Sequence, residues 1–208
     1  MQSAAGIILA GGQSRRMGRD KALLPLPGSE HSSFVAHLAA LLSGLCGEVV
    51  LVTRDAAQAA IYAPYLPSSI HLVSDQAPAI GPLMGLASGL RAIQSSHALV
   101  TAVDMPFLQP DLVTFLLSQP LDDQLLVPLV SATPQVLLAV YPRSVLPLIE
   151  ARLFAGRRDP RSLLEVAHVR YLEETLLRQV DPDLRSFVNI NTPDELAQTC
   201  DGSFTNES

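Results

Sequence analysis

The chain has 208 residues, of which 48% are hydrophobic and 16% charged, and its formal net charge is -6. This acidic balance excludes a nucleic-acid partner, which needs a broad basic face, and no apolar stretch reaches the ~20 residues that cross a bilayer. The first residues lack a basic leader, so export is not expected, and a cytoplasmic protein is predicted.

Short aliphatic runs alternate with helical patterns up to about residue 104. Four runs are predicted to be parallel strands, at 6–10, 48–53, 70–75 and 97–103. The segments between them carry apolar positions at helical spacing, at 33–45, 55–66 and 81–93. Alternation of this kind predicts an α/β fold: a single-domain, Rossmann-like three-layer sandwich with a mostly parallel central sheet and helices on both faces.

Beyond residue 104 the pattern becomes mixed. The predicted elements are a helix over 110–119, two runs at 124–132 and 134–141 forming an edge or antiparallel addition, helices over 145–156 and 160–167, and strands over 169–174 and 187–191. The last strand ends at Thr192, where Thr192, Pro193 and Glu195 match a capping box. The polar end of the chain predicts one domain over 1–200 and a flexible tail over 201–208.

The segment LAGGQSRRMGRDK, residues 9–21, follows directly after the first predicted strand. An open α/β sheet places its ligand crevice at the carboxyl ends of its strands. Glycines there let the backbone turn sharply and bring N–H groups near phosphates. Four positive charges fall within seven residues, at Arg15, Arg16, Arg19 and Lys21, the last being the only lysine in the chain. A polyanion site is predicted, with a solvated glycine turn as the alternative.

Asp104 ends the apolar strand of TAVDMPFL and is expected at the same crevice. Magnesium is usually held by one or two protein carboxylates together with substrate phosphates, so a solitary aspartate suffices as a metal ligand. The alternative is a cap or turn residue. Asp75 likewise ends a predicted strand.

Three glycines are spaced every four residues after Asp75, at Gly81, Gly85 and Gly89. A bare helix face permits close approach either of a base or of a neighbouring element, and base contact is favoured for Gly81 only. Farther on, Arg157, Arg158 and Arg161 form a second candidate anion contact or a solvated cluster. Asn189 and Asn191 would point to one side of a strand, where paired amides could read a polar heterocycle or satisfy a buried turn.

These segments resemble molybdenum cofactor guanylyltransferases and their nucleotidyltransferase relatives. The resemblance spans nearly the whole chain and rests on LAGGQSRRMGRDKALLPL, SDQAPAIGPLMGL, VDMPFL and FVNINTPDEL. It implies a fold of the nucleotide-diphospho-sugar transferase type. It also implies Mg²⁺-dependent transfer of GMP from GTP to molybdopterin, with release of pyrophosphate.

The resemblance and the charge pattern together assign candidate roles. The candidate catalytic residues are Lys21, Asp104 and Arg15, and Asp104 is the candidate metal ligand. The candidate nucleotide residues are Leu9, Ala10, Gly11, Gly12, Lys21, Asp75, Gly81 and Asp104. The candidate residues for the molybdopterin side are Arg158, Asn189 and Asn191. Thr53 stands where the family often has an asparagine.

Two other functions stay open at this point. One is a cytidylyltransferase, or a related transferase acting on another phosphorylated acceptor; the other is a non-catalytic nucleotide-binding module. An acceptor phosphate has a second pKa of about 6 and is already ionised at neutral pH, which suits motifs without histidine. Cys46 and Cys200 lack metal-site spacing and fit a reducing cytoplasm. Maturation chaperones of molybdoenzymes are expected partners, and a monomer or weak oligomer is expected.

Overall fold

The computed structural model describes residues 4–11, 20–26, 29–75, 81–190 and 195, with the backbone alone at 29–31. Its strands are β1 (Ala5–Leu9), β2 (Pro25–Leu26), β3 (Ser29–Ser33), β4 (Glu48–Thr53), β5 (Ile70–Ser74), β6 (His97–Ala102), β7 (Leu125–Val130), β8 (Thr133–Pro134), β9 (Leu138–Pro142) and β10 (Val169–Leu172). Its α-helices are α1 (Phe34–Leu45), α2 (Ala56–Tyr62), α3 (Pro82–Ala92), α4 (Pro110–Ser118), α5 (Leu146–Phe154) and α6 (Glu174–Leu177). Short 3₁₀ turns lie at Lys21–Leu23, Ala63–Tyr65, Arg143–Val145, Pro160–Glu165 and Arg185–Phe187.

An eight-stranded sheet follows the order β10-β7-β9-β6-β1-β4-β5, with β8 paired to β7. The pairs β1–β4, β1–β6 and β4–β5 are parallel, which confirms the prediction for the first four runs. β9 is antiparallel to both β6 and β7, and β10 is parallel to β7. The two runs beyond residue 123 form β7 and β9, which are antiparallel to each other as the predicted addition requires. They lie inside the sheet because β10 is the edge strand beside β7.

Helices cover both faces of this sheet. Successive strand residues point to opposite faces, so Ile8 joins a core cluster with α1 and α4, while Ile7 joins a second cluster with α3 and α5. Both side chains are fully buried. The predicted three-layer sandwich is confirmed.

One of the spaced glycines lets α3 approach the sheet closely. A Cβ added at Gly89 would lie 2.7 Å from Cγ2 of Ile7, whereas one at Gly85 would lie 3.5 Å from Cδ2 of Leu9, an ordinary contact. Packing therefore accounts for Gly89 but does not require glycine at 85. The strands pack so near this helix that a methyl group at Gly89 would force a shift.

The predicted strand over 187–191 is wrong for its described part. Arg185–Phe187 forms a 3₁₀ turn, and residues 188–190 pair with no strand. The turn is stabilised by the Asp181 carboxylate, which accepts hydrogen bonds from the N–H groups of Arg185 at 3.0 Å and Ser186 at 2.9 Å. The apolar alternation that suggested a strand instead packs Ile190 against Phe34 and Phe107.

Other predictions near the carboxyl end have mixed outcomes. The helix expected over 160–167 is the 3₁₀ turn Pro160–Glu165, and the strand expected over 169–174 is β10 with α6 after it. Of the predicted capping box only Glu195 is described, and the tail 201–208 lies outside the described residues. None of the helices in the described ranges has the length and apolar character needed to cross a membrane.

Candidate active site

The sheet has a topological switch point between β1 and β6. The order β5-β4-β1-β6 places β1 at the centre, with α1 on one face and α3 on the other. Ligands of open α/β sheets bind at such a point, beyond the carboxyl ends of the strands. Leu9 and Ala10 lie there, fixed by hydrogen bonds from Val103 N to Leu9 O at 3.0 Å and from Ala10 N to Val52 O at 2.8 Å.

Lys21 and Asp104 meet at this switch point. Nζ of Lys21 lies 3.9 Å from Oδ2 of Asp104, and the two side chains are 16% and 31% exposed. Burial raises the pKa of the Asp104 carboxyl above its usual range, and the charge of Lys21 opposes that shift. Residues 83 positions apart in the chain are thus brought together, as their expected places beside β1 and after β6 predict.

Asp75 lies farther along the same edge. Its N–H donates to Thr53 O at 2.7 Å, and Oδ1 accepts a hydrogen bond from the Ser88 hydroxyl on α3 at 2.9 Å. Because β1 and β4 separate β6 from β5, the strands that precede Asp104 and Asp75 are roughly 14 Å apart at the usual strand spacing. This spacing favours separate roles for the two carboxylates over one shared magnesium ion, whose oxygen ligands lie at about 2.0–2.1 Å.

The end of β4 is closed by Thr53, which is fully buried. Its hydroxyl is directed at the backbone carbonyls of Asp55, at 3.1 Å, and Val73, at 3.3 Å. The Thr53 hydroxyl is therefore used in hydrogen bonds within the fold. It does not stand in for the side chain of the asparagine that the family often has at this position. Arg54, which the sequence analysis did not single out, comes next and pairs with the Asp55 carboxylate at 2.8 Å.

Gly11 and Gly81 are glycines for different reasons. A Cβ at Gly11 would meet Arg54 N at 3.4 Å, an ordinary contact, and Gly11 has no positive φ. Gly81 has a φ of 118°, and a Cβ there would lie 3.1 Å from Arg158 O. The fold itself therefore requires glycine at 81, whereas no described residue apart from its chain neighbours lies nearer than 3.4 Å to a Cβ at 11.

A cavity of about 380 Å³ opens at Met105, the residue that follows Asp104. It is lined by Pro82, Met105, Gln135, Arg158, Arg161 and Asn189, among others. Arg158 is fixed by its backbone, because its carbonyl accepts the N–H of Leu83 at 3.0 Å at the start of α3. The structure thus brings Arg158 and Asn189 to one cavity, although Asn189 is not on a strand.

Some sequence-based candidates fall outside this description, and some site residues were missed. Gly12, Arg15 and Asn191 lie outside the described residues. Gln135 was missed because nothing in its local pattern marks the β8–β9 connection as a cavity wall. Within the described ranges, no three histidine, cysteine, aspartate or glutamate side chains are grouped to hold a metal ion.

A family model described as "MobA-like NTP transferase domain" matches residues 6–175. The chain belongs to this family. The MobA-like match includes the positions of Lys21, Asp75, Asp104 and Arg158, and ends before Asn189.

Individual MobA-like relatives are similar over nearly their full lengths. The chain is 40% identical to "Probable molybdenum cofactor guanylyltransferase" of Chloroflexus aggregans, covering 92% of this chain and 91% of the relative. It is 33% identical to "Molybdenum cofactor guanylyltransferase" of Desulfosudis oleivorans, with 94% of each covered. The crystal structure of molybdopterin-guanine dinucleotide biosynthesis protein A from Archaeoglobus fulgidus superposes with a TM-score of 0.81 at 29% identity, covering 95% of this chain and 97% of the other.

Proposed function

We propose that this chain transfers GMP from GTP to molybdopterin and releases pyrophosphate. The observation that carries the proposal is the Lys21–Asp104 pair at the switch point, followed in the chain by Met105, which lines a cavity together with Arg158 and Asn189. The Lys21–Asp104 pair would belong to a polyanion site, and the cavity would be a polar acceptor site next to it. The similarity to named molybdenum cofactor guanylyltransferases supports guanine and molybdopterin as the two partners.

The nucleotide would lie along the carboxyl ends of β1, β4 and β5. Leu9, Ala10, Gly11 and Gly12 would line its phosphates, because an uncrowded glycine backbone permits close approach. Lys21 and Arg15 would neutralise the charge that develops on the departing pyrophosphate. Asp75 and Gly81, toward the far end of the edge, would contact the nucleoside. Hydrogen bonding to Ser88 fixes the Asp75 carboxylate for that contact.

The acceptor would enter the cavity lined by Met105, Arg158 and Asn189. Arg158 and Asn189, with Asn191, would hold molybdopterin so that its phosphate oxygen faces the α-phosphorus. That oxygen forms a bond to the α-phosphorus while the bond from the α-phosphorus to the bridging oxygen breaks. Pyrophosphate leaves with that electron pair. The acceptor phosphate is already ionised at neutral pH, so positioning and charge neutralisation replace a general base.

Asp104 would hold a Mg²⁺ ion. Its carboxylate fits, because it is partly buried and, among the described residues, only the Lys21 side chain forms an ion pair with it. A bound cation would offset the burial that raises the pKa of Asp104. When bound, the ion would supply charge neutralisation on the phosphates and complete its coordination with phosphate oxygens and water.

Pyrophosphate release tests this proposal. Purified protein is incubated with Mg²⁺, molybdopterin cofactor and either GTP or CTP, and the dinucleotide product is identified by mass spectrometry. Release with GTP that depends on the cofactor is expected. Equal or faster release with CTP would establish the cytidylyl alternative. Nucleotide binding without release under either nucleotide would establish a non-catalytic module.

We further propose a monomer or weak oligomer that works in the cytoplasm and meets molybdoenzyme maturation chaperones. Residues 1–200 would form the catalytic unit, and 201–208 a dispensable tail. Sedimentation of the purified chain, with and without the last eight residues, tests these points. Loss of cofactor-dependent release on removing 201–208 would contradict the boundary.

A further inference from the structure

Asp20, directly before Lys21, is held on both of its carboxylate oxygens. Oδ1 accepts the N–H of Ala22 at 3.1 Å and caps the 3₁₀ turn that carries Lys21. Oδ2 accepts the hydroxyl of Tyr62 at 2.7 Å, from the last residue of α2. The backbone at Lys21 is thus tied to a helix that begins after β4.

Gln58 extends this link to the end of β4. Its Oε1 accepts the N–H of Arg54 at 2.8 Å, and since a backbone N–H can only donate, this contact fixes the amide orientation. The amide nitrogen then donates to the Tyr62 hydroxyl at 2.7 Å and approaches Oδ2 of Asp20 at 3.5 Å. The side-chain donors of Gln58 and Tyr62 thus both lead to the Asp20 carboxylate.

The network is buried. Tyr62 is fully buried and Gln58 is 3% exposed, so these polar groups would be costly without partners. Burial, followed by the bond to Asp20, raises the pKa of Tyr62, and the hydroxyl therefore remains a proton donor at physiological pH. The Asp55 carboxylate adds a further constraint, because Oδ1 accepts the N–H of Gln58 at 2.8 Å.

We propose that Tyr62 and Gln58 are positioning residues for Lys21, acting through Asp20 to hold the only lysine of the chain at the switch point. A lysine ammonium sits on a flexible four-carbon stem, and capping the turn at its base restricts where it can reach. Preorganised charge costs no reorganisation when the reaction occurs. The catalytic consequence rests on the proposed function; the positioning itself does not.

The sole lysine allows a direct test that needs no activity. Protein labelled with lysine that carries ¹³C only at its ε carbon has one lysine Hε–Cε signal in a proton–carbon NMR spectrum, and it belongs to Lys21. Tyr62→Phe removes one hydroxyl from a buried ring and should shift or broaden that signal, and Gln58→Met should do the same. The matched control is Tyr141→Phe, since Tyr141 is also fully buried and donates a 2.7 Å hydrogen bond, to Val136 O.

The control should lose thermal stability as Tyr62→Phe does, yet leave the Lys21 signal in place. An unchanged Lys21 signal in Tyr62→Phe and Gln58→Met would overturn the proposal. If wild-type protein releases no pyrophosphate, the proposed function fails, but the NMR comparison still decides whether the network positions Lys21.

Kinetics supply the second readout. In Tyr62→Phe, kcat for pyrophosphate release should fall about 10-fold, an effect expected of a loosened supporting contact, while KM for molybdopterin stays unchanged. Gln58→Met should follow the same split. Loss of stability without any fall in kcat, measured well below the melting temperature, would show a purely structural role and overturn the proposal.

Discussion

Glu48 and Asp104 are both carboxylates at strand ends, but Glu48 lies at the amino-terminal end of β4 and Asp104 follows the carboxyl end of β6. Oε1 of Glu48, at the start of β4, accepts hydrogen bonds from Gln94 N at 2.9 Å, Ser95 N at 2.7 Å and the Ser95 hydroxyl at 2.7 Å. Burial acts to raise the pKa of Glu48, but these hydrogen bonds outweigh it and hold the pKa below its usual range.

Asp104 has the opposite environment. Burial raises its pKa, and the one ion pair it makes among the described residues is with Lys21 at 3.9 Å. The carboxylate at the amino-terminal side of the sheet thus has its hydrogen-bond partners within the protein, whereas among the described residues Asp104 has one ion pair. Buried polar groups normally have partners, so this difference supports the proposed ligand site at the carboxyl ends of the strands.

Asp104→Asn should give the largest effect. The side chain keeps its shape and loses its charge, so turnover should fall about 100-fold or more. GTP binding measured without metal should change little. Pyrophosphate release and calorimetric GTP titration check both points. Glu48→Gln is the control, with turnover retained; equal losses in the two variants would remove the contrast between the edges.

Arg158→Ala should weaken the acceptor side of the crevice alone. A hydrogen bond to a charged group contributes about 1.5–3 kcal/mol, which corresponds to a rise in KM for molybdopterin of about 10- to 100-fold. Affinity for GTP should be unchanged. Arg157→Ala is the matched control, because Arg157 is exposed and does not line the cavity. A parallel loss of GTP affinity in Arg158→Ala would contradict the assignment of Arg158 to the acceptor site alone.

Two glycine variants should separate ligand contact from packing. Gly11→Ala should raise KM for GTP about 10-fold, by about 1.4 kcal/mol of lost binding, with little change in stability. Gly89→Ala should lower stability, because overpacking costs about 1–3 kcal/mol and the gain in helix propensity offsets about 1 kcal/mol. Its KM for GTP should stay at the wild-type value. Urea denaturation and steady-state kinetics distinguish the two; a reversed pattern would mean that the glycine roles are exchanged.

Glu48→Gln should have the smallest effect, about 1 kcal/mol of unfolding free energy at neutral pH, because the hydrogen bonds lose their charge assistance. The folded-state pKa of Glu48 is depressed, so its contribution is present above the unfolded value of 4.5 and is lost as pH falls through the folded pKa. Urea denaturation of both proteins at pH 7 and at about pH 3 checks this. A stability difference that persists at the acid end would contradict the assignment.

The sequence pattern predicted the secondary structure that depends on neighbouring residues. The strands and helices up to residue 104 follow from aliphatic runs and helical spacing, and the proximity of Lys21 and Asp104 follows from the edge at which their strands end. The strand predicted over 187–191 is wrong for its described part, because Val188 and Ile190 pack against Phe34 and Phe107 without a strand partner. Alternation indicates which side chains are buried, but it does not indicate whether the backbone has a strand partner.

Other long-range contacts could not be predicted from the sequence. Tyr62 and Asp20 are 42 residues apart, and nothing near either residue announces the bond. The separation of Asp75 from Asp104 depends on strand order, which periodicity leaves open. The placement of β9 between β6 and β7 is likewise a property of the assembled sheet.

The reversed direction of β9 has a consequence for how this fold can diversify. Because β9 runs against its neighbours, the connection that precedes it, with Gln135, reaches the edge where the parallel strands end. The strand ends on the other side of the crevice have a register that is fixed by their partners. The wall with Gln135 instead includes the connection after the β7–β8 hairpin, and such connections tolerate changes of length and composition. Under the proposed function, changes in this connection would alter the acceptor side and leave the strand ends that would hold the nucleotide as they are.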